Sequence, residues 1–485
     1  MRNIVFLFNW VFAIICLVGD FMRLYNTMTK KVEELEPKEE KLVRFYTCGP
    51  TVYHYAHIGN IRNYIGHDVL EKTLRYLGYK VIRAMNITDV GHLTSDSDSG
   101  EDKMEVARKR EGKSAYEIAD FYTKAFFDDF FKVNCAKPEI ISPATSNIEF
   151  YIEIIKKLLA DGYAYSAGGN IYFDVGKIND YYVLTNHVED KMVVGARDGV
   201  DYDSNKHNQA DFVLWFTTSK FENHEMLWDS PWGKGYPGWH IECTGIAIKY
   251  LGEYLDIHGG GVDNIFPHHT NEIAQSEAYL GHKWCKYWFH NEHLIDDSGK
   301  MSKSKGDILR VSTLEEQGYN PLSFRFMALN SHYRKQLLFS YEALKQSEST
   351  LNKLYNRISS IKKEGNFDSF KFDYYNQKFI DSLSDDLNTS NALTILYELL
   401  KDDSVNGHTK LDLITSFDKV FSLDLVKEGK TIDSELEDFI NEKIALRAEA
   451  KKNKDFALAD SIRDELLEKG ISLLDTREGT KFEIN

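Results

Sequence analysis

Leu42-Val43-Arg44-Phe45-Tyr46-Thr47, then His57-Ile58-Gly59-Asn60, then Lys80-Val81-Ile82-Arg83-Ala84-Met85-Asn86 form the stretch on which the fold turns. The first six residues, rich in β-branched and aromatic side chains, predict a buried strand. From Ile61 onward, Ile65, Val69, Leu70, Leu74 and Leu77 recur at helical spacing up to Gly78, a C-cap glycine. Residues 80–86 predict the next strand. Strand, helix and strand at these lengths make a βαβ unit and imply a parallel sheet. The turn before the helix then lies at the carboxyl edge of that sheet, where Gly59 lets the backbone approach a phosphate and the helix N-terminus offers N–H groups. His57 and Asn60 add side-chain donors. Taken alone, such a turn reads more readily as an ordinary strand-to-helix connection.

A second stretch changes that reading. Lys300-Met301-Ser302-Lys303-Ser304 stands between Gly299 and Gly306, and a chance match to this five-mer occurs in on the order of one in several thousand chains of this length. Flanking glycines permit large hinge changes, so Lys300, Lys303 and the Ser304 hydroxyl can be carried to phosphate oxygens. Fixed donors meeting charge on phosphate are how a nucleotidyl-transfer site is built.

The pair resembles the adenylate-forming motifs of class I aminoacyl-tRNA synthetases, and further segments narrow the resemblance to cysteinyl-tRNA synthetases. These are Cys48-Gly49-Pro50-Thr51-Val52-Tyr53, Asn86-Ile87-Thr88-Asp89, Asp211-Phe212-Val213-Leu214-Trp215, Pro237-Gly238-Trp239-His240-Ile241-Glu242-Cys243, His258-Gly259-Gly260-Gly261 and Phe266-Pro267-His268-His269. The resemblance runs from about residue 22 to the C-terminus. It implies an ATP-dependent ligase that forms cysteinyl-adenylate from L-cysteine and magnesium ATP and transfers the acyl group to tRNA(Cys). His57, Asn60, Lys300 and Lys303 would carry catalysis. ATP would be held by these four with Gly59, Ser304 and Asp263, and the amino acid by Thr88 and Trp239. Departures from the family pattern are Asn60, where histidine is commonest, Tyr236 in place of an arginine, and Thr270 in place of a glutamate.

A thiolate pair with an imidazole and a carboxylate suits zinc, and His268 and Glu272 lie four apart on one helical face. Spacing alone leaves Cys48 and Cys243 equally readable as buried structural cysteines. The resemblance places Cys48, Cys243, His268 and Glu272 on the family's four zinc positions, with one zinc per chain; His269 is the neighbour most easily mistaken for a ligand. Zinc has a purpose in such an enzyme, because cysteine and serine differ by one atom and hydrophobic fit separates such pairs poorly.

Composition is compatible with this. A chain of 485 residues with 42% hydrophobic content can bury a large core. A net charge of -16 describes the long-range field and does not exclude a local basic track for tRNA. Lys305, Arg310, Arg334 and Lys335, or Arg447, Lys451, Lys452 and Lys454, could supply one, though each cluster also reads as a solvated helix face. Five cysteines form no disulfide framework and fit a reducing, cytoplasmic setting. No motif demands a second chain, so a monomer is expected.

The expected architecture is α/β: a Rossmann-like parallel-sheet catalytic domain over 22–137 and 228–285, split by a connective insertion over 138–227. The loop domain follows at 286–341, a helical bundle at 342–426 carrying Asp385-Asp386-Leu387-Asn388, and a small α+β anticodon-binding tail at 427–485 with helices near 436–452 and 456–467 and two short strands. Residues 91–102, with Asp96, Asp98, Gly100 and Asp102, lack the spacing of a calcium loop and read as solvated. Residues 1–21 stand outside the scheme. Their apolar run over 4–18 suggests a signal-peptide core or an anchor, but it is short for a spanning helix and lacks a cleavage pattern. The expectation is that Met22 is the native start and that no membrane is a partner. Two further readings remain open: a cysteine ligase loading a small amine, and a catalytically silent tRNA-binding paralogue.

Overall fold

The computed structural model describes residues 21–91, 103–185, 203–217, 225–296, 299–300, 308–426, 434–453, 455–468, 471–476 and 479–484. The apolar N-terminal run, the acidic loop at 92–102 and residues 301–304 of the lysine motif lie outside them. The chain divides into two compact units, Met1–Val426 and Lys427–Asn485.

In the first unit a hairpin, β1 (Arg23–Asn26) and β2 (Lys31–Glu34), precedes β3 (Leu42–Thr47), α1 (Ile58–Tyr76) and β4 (Lys80–Ile87). β3 and β4 pair in parallel, Leu42 opposite Lys80, as the βαβ reading requires. Helix α1 ends where expected: Leu77 caps it and Gly78 takes φ +82°, a left-handed conformation natural to glycine. Helices α2 (Lys103–Glu111) and α3 (Ala115–Lys132) lead to β5 (Ile140–Pro143). Then come α4 (Ile148–Ala160), an antiparallel sheet of β6 (Ala164–Ala167), β7 (Asn170–Phe173), β8 (Phe212–Phe216) and β9 (Tyr236–Pro237), and α5 (Trp239–Leu251). Strand β10 (Leu255–Gly261), α6 (Thr270–Leu280) and β11 (Cys285–Asn291) complete the main sheet, whose order is β11-β10-β3-β4-β5. All four of its pairings are parallel.

Two boundaries shift. β5 lies inside the stretch read as insertion, and β11 runs past 285 into the stretch read as loop domain. Both are edge strands recruited by backbone pairing across a long sequence separation, which no local pattern records. The inserted antiparallel sheet has its own apolar packing, with Phe173 and Phe212 stacked at 5.0 Å.

Beyond β11 lie β12 (Leu294–Asp296), β13 (Gly299–Lys300), α7 (Val311–Glu316), α8 (Pro321–Leu329) and β14 (Leu337–Leu338). The bundle follows as α9 (Tyr341–Ser359), α10 (Ser369–Ser384), α11 (Thr389–Lys401) and α12 (Gly407–Phe421). Arg325 of α8 links it to α1, forming a fully buried ion pair with Asp68 at 2.7 Å. Arg325 also donates to the carbonyls of Phe421 (2.6 Å) and Val133 (2.9 Å), so the guanidinium's charge and its donors are both matched, as burial demands. The second unit holds α13 (Ser434–Lys452), α14 (Phe456–Glu468) and a hairpin of β15 (Ile471–Thr476) and β16 (Gly479–Ile484) around Ile440, Ile462 and Leu466. Among the described residues, no helix is long and apolar enough to cross a membrane.

Candidate active site

A cavity of about 210 Å³ opens beside the carboxyl ends of β3, β4 and β10, and its lining includes Cys48, Thr88, His57, Asn60, Trp239 and Asp263. Gly59, Cys243 and His268 line it as well, whereas Glu272 does not.

His57 is the N-cap of α1. Its Nδ1 accepts from the Asn60 N–H at 3.2 Å, while Asn60 Oδ1 accepts from the His57 N–H at 3.1 Å, a reciprocal capping box. This bookkeeping decides what each side chain has left. With Nδ1 accepting, neutral His57 carries its proton on Nε2, and Asn60 keeps its amide NH₂; both remain donors. Asparagine in the histidine position therefore preserves a donor. Gly59 is required sterically, since a Cβ there would stand 2.8 Å from His57 Nδ1. The helix end itself offers less than expected: Ile58 N–H is taken by Leu309 O at 2.9 Å, and Asn60 N–H by the cap.

The ligand atoms of Cys48, Cys243, His268 and Glu272 all lie within 4.8 Å of one another, and all four residues are buried. Cys48 Sγ is 3.9 Å from Cys243 Sγ, His268 Nε2 is 3.4 Å from Cys243 Sγ, and His268 Nε2 is 3.1 Å from Glu272 Oε1. Glu272 Oε1 is buried and makes no well-aligned hydrogen bond, although His268 Nε2 stands 3.1 Å from it, so two atoms that could both ligate one cation face each other. Its other oxygen, Oε2, is 2.9 Å from His258 Nε2. His240 Nδ1 stands 2.9 Å from His268 Nδ1, and Trp239 stacks on the His268 ring at 4.3 Å. Each contact turns a ligand atom toward the common centre, the arrangement that orients metal ligands. Two sulfurs, an imidazole and a carboxylate oxygen fit zinc.

A second group, Cys48, His258, His269 and Glu272, is equally tight. His269 Nε2 is 3.3 Å from Cys48 Sγ and its Nδ1 2.8 Å from His290 Nε2. Cavity access separates the two groups. Cys48, Cys243 and His268 line the cavity, whereas His258, His269 and Glu272 do not, so the first group presents three of its residues to a ligand that enters there and the second presents Cys48 alone.

Burial pushes the Cys48 and Cys243 thiols up and the Glu272 carboxyl from 4.5 to about 8. A carboxyl raised in this way favours the folded state below its unfolded pKa, and that contribution is lost as pH climbs through the folded value. Metal binding demands the deprotonated ligands and so has the opposite pH dependence. We expect the melting temperature of chelator-treated protein to fall between about pH 5 and 8, and its deficit relative to zinc-loaded protein to widen. Scanning calorimetry across that range reads both, and a deficit independent of pH would count against this ligand set.

Thr88 is buried, accepts from Asn86 Nδ2 at 2.9 Å and donates to Glu242 Oε2 at 3.2 Å. Asn86 Oδ1 in turn accepts from the Gly49 N–H at 2.7 Å. A Cβ on Gly49 would lie 1.6 Å from Asn86 O, so glycine is what lets the Cys48 turn lie against the end of β4. Asp263 sits in a single helical turn, Val262–Asn264, directly after β10. Trp239 is only partly buried, which distinguishes a cavity wall from a core aromatic. The backbone of Lys300 pairs with Ile295 in β13; its side chain, and Lys303 and Ser304, lie outside the described residues.

The departures have local explanations. Tyr236 is buried and stacks on Phe216 at 4.8 Å, filling the inserted sheet. Thr270 donates to Ile265 O at 2.8 Å at the start of α6. Of the basic candidates, Arg310 lies over the Tyr55 ring at 4.2 Å, Arg334 pairs with Asp386 at 2.6 Å, and Arg447 is buried. Arg310 and Arg447 are thus held by the protein, whereas Arg334, though paired, is exposed, as are Lys335, Lys451 and Lys452; Lys305 and Lys454 lie outside the described residues. Glu242, His240 and His258 join the site without a sequence signal of their own. The first two stand inside the quoted Pro-Gly-Trp segment and His258 opens the glycine run, so proximity to those motifs was their only signal.

The family model for the tRNA synthetase class I (C) catalytic domain matches residues 34–349, and that for the DALR domain matches 378–418. A cysteine-tRNA ligase of Treponema denticola is 44% identical over 94% of this chain and 98% of its own length. One from Borreliella burgdorferi is 44% identical over 95% and 99%. In fold, the chain is similar to a methionyl-tRNA synthetase of Mycobacterium tuberculosis, with a TM-score of 0.55 at 15% identity, covering 79% of this chain and 90% of that one.

Proposed function

Because the chain belongs to the cysteinyl class I tRNA synthetases, we propose that it is a cysteine-tRNA ligase, joining L-cysteine to tRNA(Cys) with ATP, magnesium and one zinc in the cytoplasm as a monomer. The observation that carries this reading is the convergence of four zinc-competent ligand atoms, three of them from residues lining the cavity that also receives the α1 N-terminus. Bound there, zinc supplies a soft Lewis acid that takes a thiol as thiolate and offers far less to a hydroxyl.

The other steps belong to the chain. Thr88 and Trp239 bound the amino acid beside the ligand cluster. The cysteine carboxylate oxygen then bonds to the α-phosphorus as the bond to pyrophosphate breaks. Negative charge grows on the α-phosphate oxygens, where His57 Nε2–H and the Asn60 NH₂ stand as donors, joined by Lys300 and Lys303. The terminal ribose hydroxyl of tRNA next attacks the acyl carbon and AMP leaves. Catalysis is positioning and charge stabilisation, with no protein nucleophile. The second unit, 427–485, reads as the anticodon-binding tail.

The test is ATP–pyrophosphate exchange with cysteine or serine, followed by charging of tRNA. Exchange with cysteine and transfer to tRNA are expected. Absence of exchange would leave a silent tRNA-binding module, and exchange without charging would indicate another acceptor. Lys303→Ala should slow adenylate formation by about tenfold to a hundredfold, the value of one hydrogen bond to a charged group, with zinc content unchanged. Unaltered exchange in that variant would remove Lys303 from the site.

A further inference from the structure

The helical bundle carries a buried carboxylate, Asp386, that reaches out of it to β1 and to residues 333–334. Asp386 is 4% exposed and follows α10 with φ +56°, and Leu387 follows at +55°. Two successive left-handed non-glycine residues are strained, and the strain needs an offsetting interaction. Asp386 supplies it. Its Oδ1 accepts from the Tyr25 N–H at 2.8 Å and from the Tyr333 hydroxyl at 2.5 Å, and its Oδ2 accepts from Arg334 Nε at 2.8 Å.

What Asp386 holds is connected to the cavity. The Tyr333 ring stacks on Phe289 of β11 at 4.5 Å, and Tyr333 O accepts from the Glu292 N–H at 2.8 Å. Lys335 O accepts from the Arg62 guanidinium, which also donates to Glu292 O at 2.6 Å and His293 O at 2.5 Å. Arg62 itself is buried on α1, two residues after Asn60. Glu292 and His293 line the cavity with Asn60. A carboxylate that lines no part of the cavity thus sets residues 333–335, and these together with Arg62 set the rim opposite the zinc ligands.

We propose that Asp386 is a positioning residue for the nucleotide side of the cavity, through which the bundle fixes the Glu292–His293 rim against the start of α1. The proposal rests on the ligase reading above. Exchange by the unaltered protein tests that reading first, so the two can fail separately. In the full chain, Asp386→Asn keeps the size and one acceptor oxygen but loses the charge that Arg334 and Tyr333 share. KM for ATP in cysteine-dependent exchange should rise by about tenfold, within the range of couplings carried through a contact network. KM for cysteine and zinc content should stay within about twofold. Tyr333→Phe, which keeps the stack on Phe289 and removes only the hydroxyl, should shift the ATP value in the same direction by a smaller factor and guards against a folding defect in the first variant. A lowered melting temperature with both KM values unchanged would overturn the proposal, as would equal loss toward ATP and cysteine.

Discussion

Cys243→Ser is expected to leave a folded protein that holds no zinc after mild chelation and does not activate cysteine. The serine hydroxyl is smaller than the thiol and fits the space beside His268 Nε2, which lies 3.4 Å from the present sulfur, so packing survives. A hydroxyl, however, stays protonated near neutral pH and is a hard ligand, whereas the site needs a second soft anion. Three donors then remain, and one of them, Glu272, already prefers its proton, with its pKa pushed up to about 8. Loss of an outer-shell partner alone costs a metal site about 10- to 100-fold. Loss of a ligand should exceed that, so cysteine-dependent exchange should fall by at least about a hundredfold. Cys285→Ser is the comparison. Its sulfur faces Tyr287 O at 3.4 Å in β11, away from the four ligands, and that variant should keep one zinc per chain. Retention of zinc by Cys243→Ser, measured by metal analysis, would exclude Cys243 as a ligand and return attention to the His258 and His269 group.

The two ligand groups show how far the sequence could be read. Cys48, Cys243, His268 and Glu272 were nameable because they sit in segments that resemble one family, but nothing local separates His268 from His269. In three dimensions the two differ, because His268 lines the cavity and His269 does not. The βαβ unit was legible because periodicity and punctuation are local, and it came out with its expected ends. Strand β10 was not, because Gly259-Gly260-Gly261 is a poor strand former. The strand exists because its neighbours leave no room: a Cβ on Gly259 would lie 2.9 Å from the His67 ring, and pairing with β3 and β11 on both sides supplies its stability. The Asp68 and Arg325 pair was equally silent, since a charged residue on a helix reads as solvated until the partner 257 positions away is known. Asp386 belongs to the same class: its segment was recognised, but its grip on Tyr25, Tyr333 and Arg334 is a long-range contact.

His57→Ala removes two things at once, and the structure shows how to separate them. As N-cap, His57 satisfies the Asn60 N–H, and losing a cap costs about 1 kcal/mol of stability. As a cavity donor through Nε2, it faces charge that develops only as the α-phosphate is attacked. Removing one such preorganised donor costs about 10²- to 10³-fold in rate. His57→Ala should therefore show both a few degrees' drop in melting temperature and that loss in exchange kcat, with KM for cysteine and zinc content little changed. His57→Asn divides the effects. Asparagine is a strong N-cap, so stability should return, but its shorter side chain spends its oxygen on the helix and cannot place a donor where imidazole Nε2 stands. Exchange should stay slow in a protein as stable as the original. If His57→Asn instead restores exchange along with stability, His57 acts only by holding the first turn of α1, and stabilisation of the transition state passes to Asn60 and the lysine loop.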